Sequence, residues 1–133
     1  MEDMSYWKEV WERKGRGKTN NLEELDGYED TTANVKEIAQ NIIKELDIKE
    51  TDKVLEVACG AGGLAQYINC AQYVGIDYSE TLVQRHIELL NNSVLHGEAN
   101  DLILKIKALI RYFVLVLFIT FPILNMQLKL LMN

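Results

Sequence analysis

Two carboxylates bracket a glycine-rich turn in residues 54–78. Glu56 stands inside the apolar run KVLEVA, the turn ACGAGG follows, and Asp77 closes a second run, AQYVGID. Gly60 and Gly62 have no Cβ, so the backbone there can bend sharply and come close to a ligand. A helix beginning after such a turn presents unpaired N–H groups. A carboxylate at the end of the next strand can accept two hydrogen bonds from a ribose diol. The glycine pattern alone fits a dinucleotide site equally well. Glu56 separates the readings: it would repel a pyrophosphate laid over the loop and attract a ligand with a cationic end.

These residues need a scaffold, and the pattern supplies one. SYWKEVWERKGRG places Tyr6, Trp7, Val10 and Trp11 on one face of an amphipathic helix ended by glycines. This helix is expected to pack on the domain through its aromatic residues. KTNNLEELDGYED reads as a loop. Val35, Ile38, Ile42, Ile43 and Leu46 then recur at helical spacing, with Asp30, Thr31 or Thr32 as the expected cap. KVLEVA is a first strand, GLAQYIN a helix, AQYVGID a second strand and SETLVQRHIELLNN a helix capped by Ser79. Leu82, Val83, His86, Leu89 and Leu90 face inwards from that helix, and SVLHGEA is a third, weaker strand. Strands alternating with single helices imply a parallel sheet with right-handed crossovers. The expected class is α/β, a Rossmann-like doubly wound sheet. Its first β-α-β-α-β half is clear, and two helices precede it.

Composition narrows the functions. The chain has 133 residues and a net charge of -6. An acidic chain without a basic stripe is not expected to bind nucleic acid, whose phosphates need clustered Lys and Arg. Cys59 and Cys70 lack metal-site spacing and read as free thiols in a reducing compartment, so a cytoplasmic location without a metal is expected. MEDMSYWKEVW is too charged for a secretory leader. His86 reads as a packed histidine and Cys59 as a small side chain filling the loop; no side chain stands out as catalytic.

S-adenosylmethionine carries an ammonium and a sulfonium but no phosphate, which suits Glu56 together with Asp77. The chain indeed resembles the class I S-adenosylmethionine-dependent methyltransferases over about residues 5–102. Their first motif, acid-x-G-x-G-x-G, is matched by Glu56-Val57-Ala58-Cys59-Gly60-Ala61-Gly62, with Ala58 in place of the first glycine. YVGIDYS is the second motif. The resemblance implies that Asp77 holds the ribose and that Tyr78 neighbours the adenine. HGEANDL is the third motif, and the resemblance makes Asp101 the acid on the adenine amino group. It implies methyl transfer to a protein lysine or a small molecule.

The tail departs from the family. Every acidic residue lies at or before Asp101, and the last 32 residues hold four basic residues, no acid and no glycine. The expected division is residues 1–30 as helix and loop, 31–102 as a partial cofactor-binding domain, and 103–133 as an apolar basic tail. Tyr112 to Leu124 is shorter than the ~18 apolar residues of a spanning helix, although Lys105, Lys107 and Arg111 before it would suit a short membrane anchor. YFVLVLFIT is also rich in strand formers. A one-base shift of reading frame through the tail can encode segments like those the family carries there, which suggests a frame-shifted or truncated enzyme without turnover. Two other readings are kept: a dinucleotide-binding oxidoreductase fragment, and a non-enzymatic, membrane-associated fragment.

Overall fold

The computed structural model describes residues 4–27, 34–97, 99–109 and 111–117. The helices are α1 (Met4–Gly15), α2 (Leu22–Leu25), α3 (Val35–Glu45), α4 (Glu80–Leu90) and α5 (Ala99–Leu109). The strands are β1 (Lys53–Val57), β2 (Gln72–Asp77), β3 (Ser93–His96) and β4 (Val114–Leu117). They form one parallel sheet in the order β3-β2-β1-β4. The chain steps outwards from β1 to β3, then returns through α5 to the other side of β1. That reversal makes the carboxyl end of β1 the topological switch point, where open α/β sheets bind their ligands.

Alternation along β1 divides its side chains between the two faces of the sheet. Leu55 and Val57 pack with Val74, Ile76 and Ile106, so α5 covers that face. Val54 packs with Ile48 and Val116, and Ile42 and Ile43 of α3 close over them. Burial on both faces explains why β1 is an apolar run without polar alternation. Glu56 shares the face of Val54. Its register partner is Gly75, where a Cβ would stand 2.6 Å from the Cys59 sulfur, so that glycine makes room for the loop to fold back on the sheet.

The helix ends follow local chemistry. Ser79 caps α4 as expected, its hydroxyl accepting from Leu82 N (3.3 Å). Asn34 caps α3 by accepting from Glu37 N (3.2 Å). The expected caps Asp30, Thr31 and Thr32 lie outside the described residues. LEEL, read as loop, is one helical turn, because Asn21 Oδ1 accepts from Glu23 N and Glu24 N at 3.0 and 3.1 Å. GLAQYIN forms only a 3-10 turn, Ala65–Tyr67. Trp11 packs on the Leu22, Leu25, Ala61 and Leu82 cluster, whereas Tyr6 is 60% exposed and does not join the packed face.

The tail continues the sheet. α5 runs across the 102/103 boundary, and β4 pairs with β1 from Val54↔Val114 to Val57↔Leu117. This realises the strand reading of residues 114–117. The rest of the apolar stretch lies outside the described residues, among which no helix is long and apolar enough to cross a membrane.

Candidate functional site

β1 ends at Val57, and the loop that follows is held in a tight conformation. Ala58 has φ 60°, Gly60 φ 54° and Gly62 φ 96°. Ala58 therefore sits in backbone space that favours glycine, at a cost of roughly 1–2 kcal/mol. A Cβ on Gly62 would lie 2.5 Å from Leu90 Cδ1, and one on Gly60 would lie 2.3 Å from Asp26 Oδ1. Both glycines answer to close neighbours within the protein as well as to the turn.

The loop amides point at carboxylates. Gly60 N donates to Asp77 Oδ2 (2.9 Å), Ala61 N to Asp26 Oδ1 (2.6 Å) and Gly63 N to Asp26 Oδ2 (2.7 Å). Asp77 also accepts from Ser79 N (2.8 Å) through its other oxygen. Each Asp77 oxygen keeps a second lone pair with which to accept from a ligand hydroxyl. Glu56 is 1% exposed and accepts a hydrogen bond from the Tyr73 hydroxyl at 2.6 Å.

Three carboxylates thus gather at the switch point. Burial pushes Glu56 up to about 8, with Asp26 and Asp77 adding to the rise and Tyr73 opposing it. Burial likewise raises Asp26 to about 7 against the pull of the Ala61 and Gly63 amides, although Asp26 as a residue keeps an open edge to solvent. Asp77 rises to about 6, again through burial, with the Ser79 and Gly60 amides opposing. Desolvation disfavours the charged form of each acid, and a cation entering among them would favour it.

The histidines are accounted for by packing. His86 is fully buried, and burial lowers it to about 4. The Gly60 carbonyl can only accept, so His86 Nδ1 carries the proton and donates to it (3.0 Å), while Nε2 accepts from Asn92 Nδ2 (3.0 Å). A neutral histidine thereby props the loop. His96, opposite Asp77 in the register, donates from Nε2 to the Tyr78 carbonyl (3.2 Å). Cys59 is buried and its thiol is pushed up by desolvation, which suits a filler of the loop.

Glu56, Gly60, Gly62 and Asp77 lie at the carboxyl ends of β1 and β2 and in the loop after β1. Tyr78 is half-buried beside them, packed against the α5-facing core. Asp101 lies exposed in the first turn of α5. Sequence reasoning missed Asp26, whose one local signal was its place before Gly27 in a turn. It also missed Glu12 of α1. Glu12 Oε1 accepts from the Ser79 hydroxyl (2.5 Å) and Thr81 N (3.2 Å), tying α1 to the start of α4. Among the described residues no group of three or more His, Cys, Asp and Glu could hold a metal ion.

No family model matches the chain. An uncharacterised methyltransferase of Schizosaccharomyces pombe is 31% identical over 74 residues, covering 53% of this chain and 28% of that protein. The chain therefore matches under a third of that relative's length. An S-adenosylmethionine-dependent methyltransferase of Anabaena variabilis shares 15% identity at a TM-score of 0.49, covering 78% of this chain and 43% of that one. Another, from Thiobacillus denitrificans in complex with S-adenosylhomocysteine, shares 18% identity at a TM-score of 0.41, covering 60% and 36%. Over those 74 residues the chain is similar to a methyltransferase, in keeping with the order of its motifs.

Proposed function

We propose that the chain binds S-adenosylmethionine at the carboxyl end of β1 and is the cofactor-binding part of a methyltransferase. The observation that carries this reading is the filling of the glycine loop by the protein's own carboxylates. The amides of Gly60, Ala61 and Gly63 already donate to Asp77 and Asp26. In a phosphate-binding loop such amides face the ligand. Here a pyrophosphate would meet occupied donors and three acids, whereas a cationic ligand would meet complementary charge.

In this reading Glu56 holds the methionine ammonium, and Gly60 and Gly62 let the backbone come close to the cofactor. Asp77 accepts from the ribose hydroxyls, Tyr78 lies by the adenine, and Asp101 takes the adenine amino group. The cofactor, when bound, supplies a methyl group on a sulfonium, open to in-line displacement by an acceptor. Rate then depends on holding the acceptor in line, which is worth several kcal/mol when done well. The acceptor, a protein lysine or a small molecule, is set by elements beyond the half-sheet described above. Turnover by this chain alone is expected to be absent, with binding retained.

Titration calorimetry tests the binding. S-adenosylmethionine is expected to bind the chain, and Glu56→Ala combined with Asp77→Ala to abolish it. Normal affinity in the double variant would refute the site. NAD binding that improves when Glu56 alone is removed would instead support a dinucleotide fold.

A further inference from the structure

Asp26 comes from far along the chain, and the segment bearing it lies across the glycine loop. Arg85 of α4 donates to the Thr19 carbonyl and to Asn20 Oδ1 (2.8 Å), holding one end of that segment. Asn21 caps the α2 turn, and Leu22 and Leu25 bury themselves against Ala61 and Leu82. The Tyr67 hydroxyl donates to Glu23 Oε1 (2.8 Å). At the far end Gly27, with φ 85°, turns beneath the Trp11 ring. Residues 19–27 thus form a strap, and its innermost group is the Asp26 carboxylate on the Ala61 and Gly63 amides.

Two opposed forces act on Asp26. The leucines and the two amide bonds hold the strap down. Asp77 and, once it gives up its proton, Glu56 repel the carboxylate: Asp77 raises Asp26, and Asp26 and Asp77 together raise Glu56. A positive charge among the three acids reverses that repulsion while leaving the holding contacts intact. On the reading that the ligand is cationic, we propose that Asp26 is a further cofactor-site residue delivered by this strap, so that loading the site and fastening residues 19–27 over the glycine loop are one event. Asp26 is a positioning residue here: it completes the negative chamber and fixes the loop amides, and takes no part in bond making.

The test is amide hydrogen exchange on the full chain, with and without S-adenosylmethionine, beside affinity by calorimetry. In the wild type, ligand is expected to slow exchange in residues 19–27 and at Ala61 and Gly63 by about tenfold or more. Asp26→Ala is expected to lose that slowing and about tenfold in affinity, while residues 53–57 and 72–77 stay as protected as in the wild type. Should Asp26→Ala fail to fold, Asp26→Asn, which keeps the size, removes the charge and gives up one of the two amide contacts, carries the same comparison and the same expectation. Ligand that binds the wild type without slowing exchange in the strap overturns the inference and leaves the cofactor reading standing. So does wild-type affinity in the folded Asp26 variant. No binding to the wild type refutes the cofactor reading itself, and this coupling with it.

Discussion

Glu56→Gln isolates the charge on which the site depends. The wild-type carboxyl titrates near 8 instead of 4.5, a rise of about 3.5 units caused first by burial. At roughly 1.4 kcal/mol per unit, ionising Glu56 in the folded chain costs about 5 kcal/mol more than in water. At pH 7 the neutral acid therefore outnumbers the carboxylate by roughly ten to one. A cation that binds the carboxylate must release that proton, so affinity rises with pH while the acid is still titrating. Between pH 6 and 7.5, with the ligand ammonium protonated throughout, the rise is expected to approach tenfold per unit for each proton released. Glutamine keeps the shape and can still accept from Tyr73 Oη, but it carries no charge. A charge-assisted hydrogen bond contributes about 1.5–3 kcal/mol, of which releasing the Glu56 proton at pH 7.5 takes back about 0.8 kcal/mol, so the variant should bind S-adenosylmethionine roughly three- to fortyfold more weakly there. Its affinity should also depend less on pH. Calorimetry in two buffers of different ionisation enthalpy counts the released protons directly. Wild-type affinity that is flat across this window, without proton release, would refute the reasoning, as would a variant that binds like the wild type.

Stability without ligand should move the opposite way with pH. Asp77, Glu56 and Asp26 have folded values of about 6, 8 and 7 against 3.8 to 4.5 unfolded, so the folded chain holds more protons in between. That stability is complete below pH 4 and is lost as pH rises through 6 to 8. His86, lowered to about 4, pulls the other way only below its ordinary 6.5. The melting temperature should therefore fall from pH 6.5 to 8.5, and circular dichroism showing a rise would contradict this. Gly60→Ala should destabilise by about 2 kcal/mol or more, from its positive φ and the contact with Asp26. In an Asp26→Ala background the cost should shrink by about 1 kcal/mol in denaturant melts, and strict additivity would count against the contact. Ala58→Gly, at φ 60°, should stabilise by about 0.5 kcal/mol, the relief of the strain less the entropy glycine adds to the unfolded chain. A loss of stability would mean the methyl group packs.

Local signals were read well and distant ones were not. KVLEVA and AQYVGID are legible as strands because buried parallel strands need unbroken β-branched or apolar runs, and Ser79 is legible because a cap acts on its own helix. Asp26 and Glu12 act on residues 35 and 67 or more positions away, so nothing in either neighbourhood points to the partner. The turn after the glycine loop looks helical in Leu64, Tyr67 and Ile68, yet it closes after Ala65–Tyr67. Tyr6 follows the helical period of its neighbours but lies beyond the surface that α1 covers. In the tail, composition drew attention to a break, whereas β-branched residues at 114 and 116 carried the strand that pairs with β1.

Cys59 offers a clock for the loop. Its sulfur lies against Gly75 in the middle of β2 and is shielded from water, whereas Cys70 is partly exposed. A thiol reagent should label Cys70 first and reach Cys59 only when the glycine loop lifts from the sheet. The lag between the two labelling events then measures how often the cradle opens, with no residue substituted.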